Sequence, residues 1–217
     1  MFKRLSILLC SVMLTAACSA GDAGKTAPSA PKYADGEAYL TLSSPQRHSD
    51  QGKVEVVEVF SYACPHCAHF APYMDKLEAS LPKGVKVSYI PANFNRAWEP
   101  FARAWYAARE LGVAKKTHDA LFRDKFINNF PINSLQDLAD FYARHGVDRD
   151  AFLKAATSEK TTRQMLHDTR LIQQWHVEAT PTVVVDGKYV SHHIRSFDEL
   201  ADLTRWLVDR ELKAKGD

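Results

Sequence analysis

The 217-residue sequence predicts an α/β fold in which a block of helices interrupts a sheet. Three observations predict it. The run Val54–Phe60 is rich in β-branched residues and apolar on both parities, the pattern of a central strand covered on both faces. Between Ala97 and Trp175 the chain carries helical periodicity broken only at Gly112, Pro131 and Gly146. Close to the end, Asp186-Gly187 separates two apolar β-type runs and reads as a hairpin turn.

Taken in order, Ala38-Tyr39-Leu40 is a short first strand and Val54–Phe60 the strong second one. A helix then opens at Cys64-Pro65-His66-Cys67, with Cys67, Phe70, Met74 and Leu77 on one face. Pro82 and Gly84 end it before the strand Val85–Ile90, which completes a βαβ unit. The helical block is expected near 97–111, 115–127, 134–145, 149–156 and 159–175, with a helix start at Ser134–Asp137. Thr182–Val185 and Lys188–Val190 form the hairpin. Ser196, with Glu199 three residues later, is a capping box for a last helix with Leu200, Leu203, Leu207 and Val208 on its apolar face.

Composition is that of a globular protein: 46% hydrophobic, 11% aromatic and 25% charged. The formal charge of +2 gives no field toward nucleic acid or anionic membrane. At the N-terminus, Lys3 and Arg4 precede an uncharged run from Leu5 to Ala17, the layout of a secretory signal peptide. That run falls short of the roughly 20 apolar residues a membrane span needs. It ends Leu14-Thr15-Ala16-Ala17-Cys18, similar to a bacterial lipobox, so Cys18 is the candidate lipid anchor despite Thr15 where Leu is usual; the alternative is plain signal-peptidase cleavage after Ala17 or Ala20. The following Ala/Gly/Ser/Pro-rich stretch to about residue 34 reads as a flexible tether. Loss of Lys3 and Arg4 would leave 26 basic against 26 acidic residues.

Four cysteines are present: Cys10 leaves with the signal, Cys18 is the anchor candidate, and the folded part keeps Cys64 and Cys67. In a secreted protein such a pair can persist as a disulfide. Pro65 at the first helical position makes Cys64 the N-cap, where free N–H groups and the helix dipole favour an anion. The adjacent His66 adds to that when protonated. Stabilising the thiolate stabilises the reduced form, so the disulfide becomes a stronger oxidant. Cys64 is therefore the expected attacked sulfur and Cys67, one turn in, the buried resolving one. A zinc site completed by His66, His69 or His192-His193 would need a second paired cluster that the sequence lacks, so no metal is expected. Glu58 interrupts a β-branched strand six residues before Cys64; burial there would raise its pKa and suit it to carry a proton for Cys67. Thr180-Pro181, just before a strand, is a candidate cis bond.

With this motif, the strand before it, the helical insertion and the late Thr-Pro, the chain resembles the DsbA family of periplasmic thioredoxin-fold thiol:disulfide oxidoreductases over residues 37–214. The resemblance implies a thioredoxin fold divided into 37–96 and 177–217 around an inserted helical domain 97–176, after a signal peptide 1–17 and an anchor with tether 18–36. It implies that Cys64 is the nucleophile, Cys67 its buried partner, Pro65 and His66 the potential-setting pair and Glu58 the buried acid. Thr180 and Pro181 would receive substrate backbone. It further implies a monomer with no cofactor beyond the redox disulfide. Its partners would be reduced secreted proteins and a DsbB-like quinone-linked membrane oxidase, with the lipid anchor as the sole tie to the membrane. Two departures stand out. Thr180 replaces the Val common before the cis-proline, leaving a reductase or isomerase balance open, and Tyr89 lies where some members pair a lysine with the buried acid. From a different class, a metal-binding or chaperone-like module would use the same thiols without turnover.

Overall fold

The structure, a computed structural model, describes residues 31–216. The signal peptide, the Cys18 anchor and most of the tether lie outside the described residues. Five strands and seven helices follow in the order β1 (Tyr39–Thr41), β2 (Val54–Phe60), α1 (Pro65–Ser80), β3 (Val85–Pro91), α2 (Glu99–Glu110), α3 (Ala114–Phe126), α4 (Leu135–Arg144), α5 (Arg149–Ala156), α6 (Glu159–Gln174), β4 (Thr182–Val185), β5 (Tyr189–Ser191) and α7 (Phe197–Ala214). The strands form one sheet in the order β1-β5-β4-β2-β3. β2 and β3 are parallel, as a helical crossover requires, and every other neighbour pair is antiparallel.

β2 is central and buried at all seven positions. Its Val54 and Val56 face Phe70, Met74 and Leu77 of α1 and Leu203 and Leu207 of α7. Val57 and Val59 face the opposite way, against Leu171, Ile172 and Trp175 at the end of α6. That two-sided coverage is why the strand alternates so little in sequence. A third cluster joins Phe60, Tyr62 and both cysteines to residues of α2, α3, α4 and α5, so the helical block closes over the end of the sheet rather than hanging from it.

The helix boundaries fall within a residue or two of the periodic pattern. Ser134 caps α4 in a full reciprocal box with Asp137. At α7 the expected box is only half formed: Ser196 accepts from the Glu199 N–H, but the Glu199 carboxylate reaches Arg195 N at 2.8 Å and the Arg195 guanidinium instead. Arg195 outbids the cap residue because it offers both a backbone donor and a charge. Upstream, Tyr33 donates to Asp202 at 2.6 Å and packs edge-on to Trp206, so residues 32–33 lie against α7.

The β4–β5 turn places both Asp186 and Gly187 at positive φ and closes on Lys188 N→Val185 O at 3.0 Å. Segment 42–53 wraps over it. A Cβ on Gly187 would sit 2.1 Å from the Gln46 carbonyl oxygen, so only glycine fits the crossing. Gly187→Ala is expected to cost about 2–3 kcal/mol of stability, read as a lower denaturation midpoint. An unchanged midpoint would mean that the segment does not pack there. Next to it His48 bridges two fully buried carboxylates, 3.7 Å from Glu55 and 3.6 Å from Asp168. Their charge raises its pKa to about 9 against the opposing effect of burial, so the segment is fixed by ions as well as by shape.

Candidate active site

Three segments meet where β2 and β3 end. β2 stops at Phe60, whose carbonyl accepts from Ala92 N at 2.7 Å just beyond β3. Residues 61–64 then turn tightly: Cys64 N donates to Ser61 O at 3.0 Å and Ala63 N to Ser61 Oγ at 3.1 Å. β4 runs against β2, with Thr182 opposite Val59. That antiparallel start carries Thr180-Pro181, a cis peptide, to the side of Cys64. In its thiol form Cys64 Sγ donates to Thr180 O at 3.4 Å.

Cys64 is the N-cap of α1, in extended conformation, with Pro65 opening the helix. Pro65 and His66 are exposed, whereas Cys64 is 6% and Cys67 0% exposed. The two sulfurs are not bonded to each other; this is the dithiol form. Their chemistry diverges strongly. A hydrogen bond from Cys67 favours the Cys64 thiolate, with the Thr180 side chain and the N–H groups of Cys67 and His66 adding to it against the cost of burial, and its pKa falls from 9.0 to about 5. Those N–H groups face the sulfur without reaching the geometry of a full capping bond. Burial pushes the Cys67 thiol up, followed by its hydrogen bond to Cys64 and the negative charge of Glu58.

Glu58 lies opposite Tyr89 on β3 and Val183 on β4. It is 2% exposed and its Oε2 has no hydrogen-bond partner. Burial, then the charges of Cys64 and Asp75, raise its pKa from 4.5 to about 8. Tyr89 does not take the place of a pairing lysine, since its hydroxyl donates to Glu78 at 3.4 Å. The Thr180 hydroxyl is likewise buried and unpaired while Cys64 is a thiol, which leaves it free to support the Cys64 anion.

His66 and His69 are both exposed on α1, while His192 and His193 lie beyond β5 with their rings 3.7 Å apart. Among the described residues, no group of three or more His, Cys, Asp or Glu is placed to hold a metal ion. One partly buried contact at the site carries no signal in the spacing: the Tyr62 hydroxyl and His118 Nδ1, 2.9 Å apart. Its only sequence trace is a histidine on the apolar face of α3, beside Ala114, Leu121 and Phe122.

A protein-family model described as thioredoxin matches residues 49–203. The thiol:disulfide interchange protein DsbA of Pseudomonas aeruginosa is 34% identical over 207 residues, covering 94% of this chain and 98% of that one. The DsbA of Burkholderia cepacia is 33% identical over 190 residues, 87% of this chain and 86% of that one. Among solved structures, the oxidoreductase DsbA from Xylella fastidiosa superposes with a TM-score of 0.79 at 34% identity, over 83% of this chain and 98% of that one. Fold and site define a thioredoxin-fold protein that exchanges thiols and disulfides. The chain belongs to the DsbA family and is a thiol:disulfide oxidoreductase.

Proposed function

We propose that the protein works as an oxidase, giving the Cys64–Cys67 disulfide to reduced secreted proteins in the periplasm. The observation that carries this reading is the opposed behaviour of the two thiols, Cys64 held as an anion at the helix start and Cys67 held as a thiol within the core. A substrate thiolate attacks Cys64 Sγ, and the electron pair of the protein disulfide leaves on Cys67 Sγ, which takes a proton from Glu58. A second substrate thiolate then attacks the substrate sulfur of the mixed disulfide, and Cys64 leaves as a thiolate. Two substrate thiols become a disulfide and the protein's disulfide becomes a dithiol, so the pair itself carries the two electrons. Thr180 and Pro181 present the backbone edge beside which the substrate cysteine docks, while Pro65 and His66 tune the potential. A quinone-linked membrane oxidase of the DsbB type would restore the disulfide, with Glu58 accepting the Cys67 proton. The protein would act as a monomer, held near the membrane by a lipid on Cys18.

The reduction potential of the pair tests the direction. It should lie well above the value of about −270 mV typical of thioredoxin; a value near that one would overturn the oxidase reading. A Cys67→Ser variant should accumulate mixed disulfides on Cys64, and Cys64→Ser should form none. Adducts that survive in Cys64→Ser would reverse the assignment of the two sulfurs.

A further inference from the structure

Tyr62 stands midway between the end of β2 and Cys64, inside the turn that launches α1, and is 1% exposed. Its ring packs between the end of β2 and α3. It lies 5.1 Å from Phe60, 5.0 Å from Phe122 and 5.3 Å from His118, centre to centre. Its hydroxyl ends on His118 Nδ1 at 2.9 Å. His118 in turn has the rings of Phe60, Tyr62, Tyr89, Trp105 and Phe122 around it, all within 5.5 Å. The rings cover one side of the half-buried imidazole and a cavity with charged walls the other; the nitrogen on the ring side, Nδ1, is the one aimed at the turn. Burial lowers its pKa to about 4, so near neutrality the ring is uncharged.

The same turn decides where the start of α1 points. Cys64 N is tied to Ser61 O, and the N–H groups of His66 and Cys67 face the Cys64 sulfur. Both cysteines share one apolar cluster with Tyr62, Trp105 and Phe122. We propose that His118 is a positioning residue of the thiol site: by holding the Tyr62 hydroxyl it fixes the Ser61–Cys64 turn, and so the aim of the α1 N–H groups at Cys64 Sγ. This rests on the reading of Cys64 as the reactive sulfur. The helical block then does more than cover the site; it sets one of its angles.

Around His118 the groups that ionise are Tyr62 and Tyr89 and, along the cavity it lines, the carboxyls of Asp75, Glu78 and Asp119 and the cations of Lys86, Arg109 and Lys115, with Tyr142 facing Tyr62 from α4. Cys64 is faced by Cys67, Thr180 and His66 and feels the charge of Glu58.

The test is a pH titration of the Cys64 thiolate by its ultraviolet absorbance in the full reduced protein. Tyr62→Phe removes one hydroxyl and keeps every ring contact. It should raise the titration midpoint by about one pH unit, a tenfold loss of thiolate at fixed pH. His118→Phe should do the same, and the double variant no more than either alone, because each removes the same bond. His118→Asn, which restores an acceptor, should return the midpoint toward the wild-type value. An unchanged midpoint in Tyr62→Phe, or additive shifts in the double variant, would overturn the proposal. Should His118→Phe fail to fold, Tyr62→Phe and His118→Asn decide it. A wild-type protein whose Cys64 titrates like an ordinary thiol would instead sink the reading of the site itself.

Discussion

A Glu58→Gln variant in its dithiol form should gain stability over the wild-type protein as pH rises from 4.5 to 8, and hold that gain above. The reason is the burial of a carboxyl whose Oε2 finds no partner. The folded-state pKa is raised from 4.5 to about 8, so the contribution of the neutral acid is fully present below 4.5 and lost as pH passes through 8. In that window the wild-type protein falls behind by about 1.4 kcal/mol per unit, to a total on the order of 5 kcal/mol. Denaturant midpoints of both proteins at pH 4 and pH 8.5 measure the difference. A gap independent of pH would show that Glu58 ionises as an exposed acid does. The disulfide form should show a smaller gap, because one cause of the raised pKa is the charge on Cys64. On the proposed role of Glu58, the same variant should slow by about a hundredfold the two steps in which Cys67 gains or loses a proton, formation of the mixed disulfide with substrate and closure of the Cys64–Cys67 bond on reoxidation. A gain in stability and a loss in rate from one substitution are what a strained functional group predicts.

The reduction potential of Glu58→Gln should fall with pH in two slopes that meet near pH 5. Below that pH both sulfurs take up a proton on reduction, giving about 59 mV per unit for two protons and two electrons. Between pH 5 and 7 Cys64 stays a thiolate and Cys67 is the one sulfur protonated, so in Glu58→Gln, which removes the proton uptake of Glu58 itself, the slope should halve to about 30 mV. The Cys64 pKa is lowered from 9.0 to about 5, so its support of the reduced form is fully present above 9.0 and disappears as pH falls through 5. At pH 7 that support is on the order of 2 kcal/mol after solvent screening at the sulfur, or about 40 mV. Equilibration with glutathione buffers from pH 4 to 7 would locate the break. A single slope of about 59 mV across that range in Glu58→Gln would mean that the helix start does not hold an anion.

Much of this was legible in the residues, and the exceptions share a cause. Pro65 after Cys64 announces the helix start, the apolar parity of Val54–Phe60 announces the two-sided strand, and Asp186-Gly187 announces the turn. Each is a local signal, confined to one element and repeated by its period. The Tyr62–His118 bond and the His48 bridge join residues 56 and 120 positions apart, with no period to give them away. The exchange of Glu199 from Ser196 to Arg195 was hidden for a different reason: two donors compete for one carboxylate, and spacing alone cannot rank them. Tyr89 shows the same limit at the site, since register puts it opposite Glu58 while its hydroxyl turns to Glu78.

The separation of Cys64 from Thr180, 116 positions along the chain, has a temporal side. A polypeptide is made and delivered from its N-terminus, so both thiols emerge while the whole helical block and β4 are still to come. Until then no cis-proline edge flanks the sulfurs, Glu58 has no β4 beside it, and the cluster that buries Cys67 lacks most of its members. A chain cut short anywhere before β4 would therefore lack the Thr180-Pro181 edge and the strand that covers Glu58. The dithiol site is thus written in two distant parts of the chain, and it is whole only when the later part has been made.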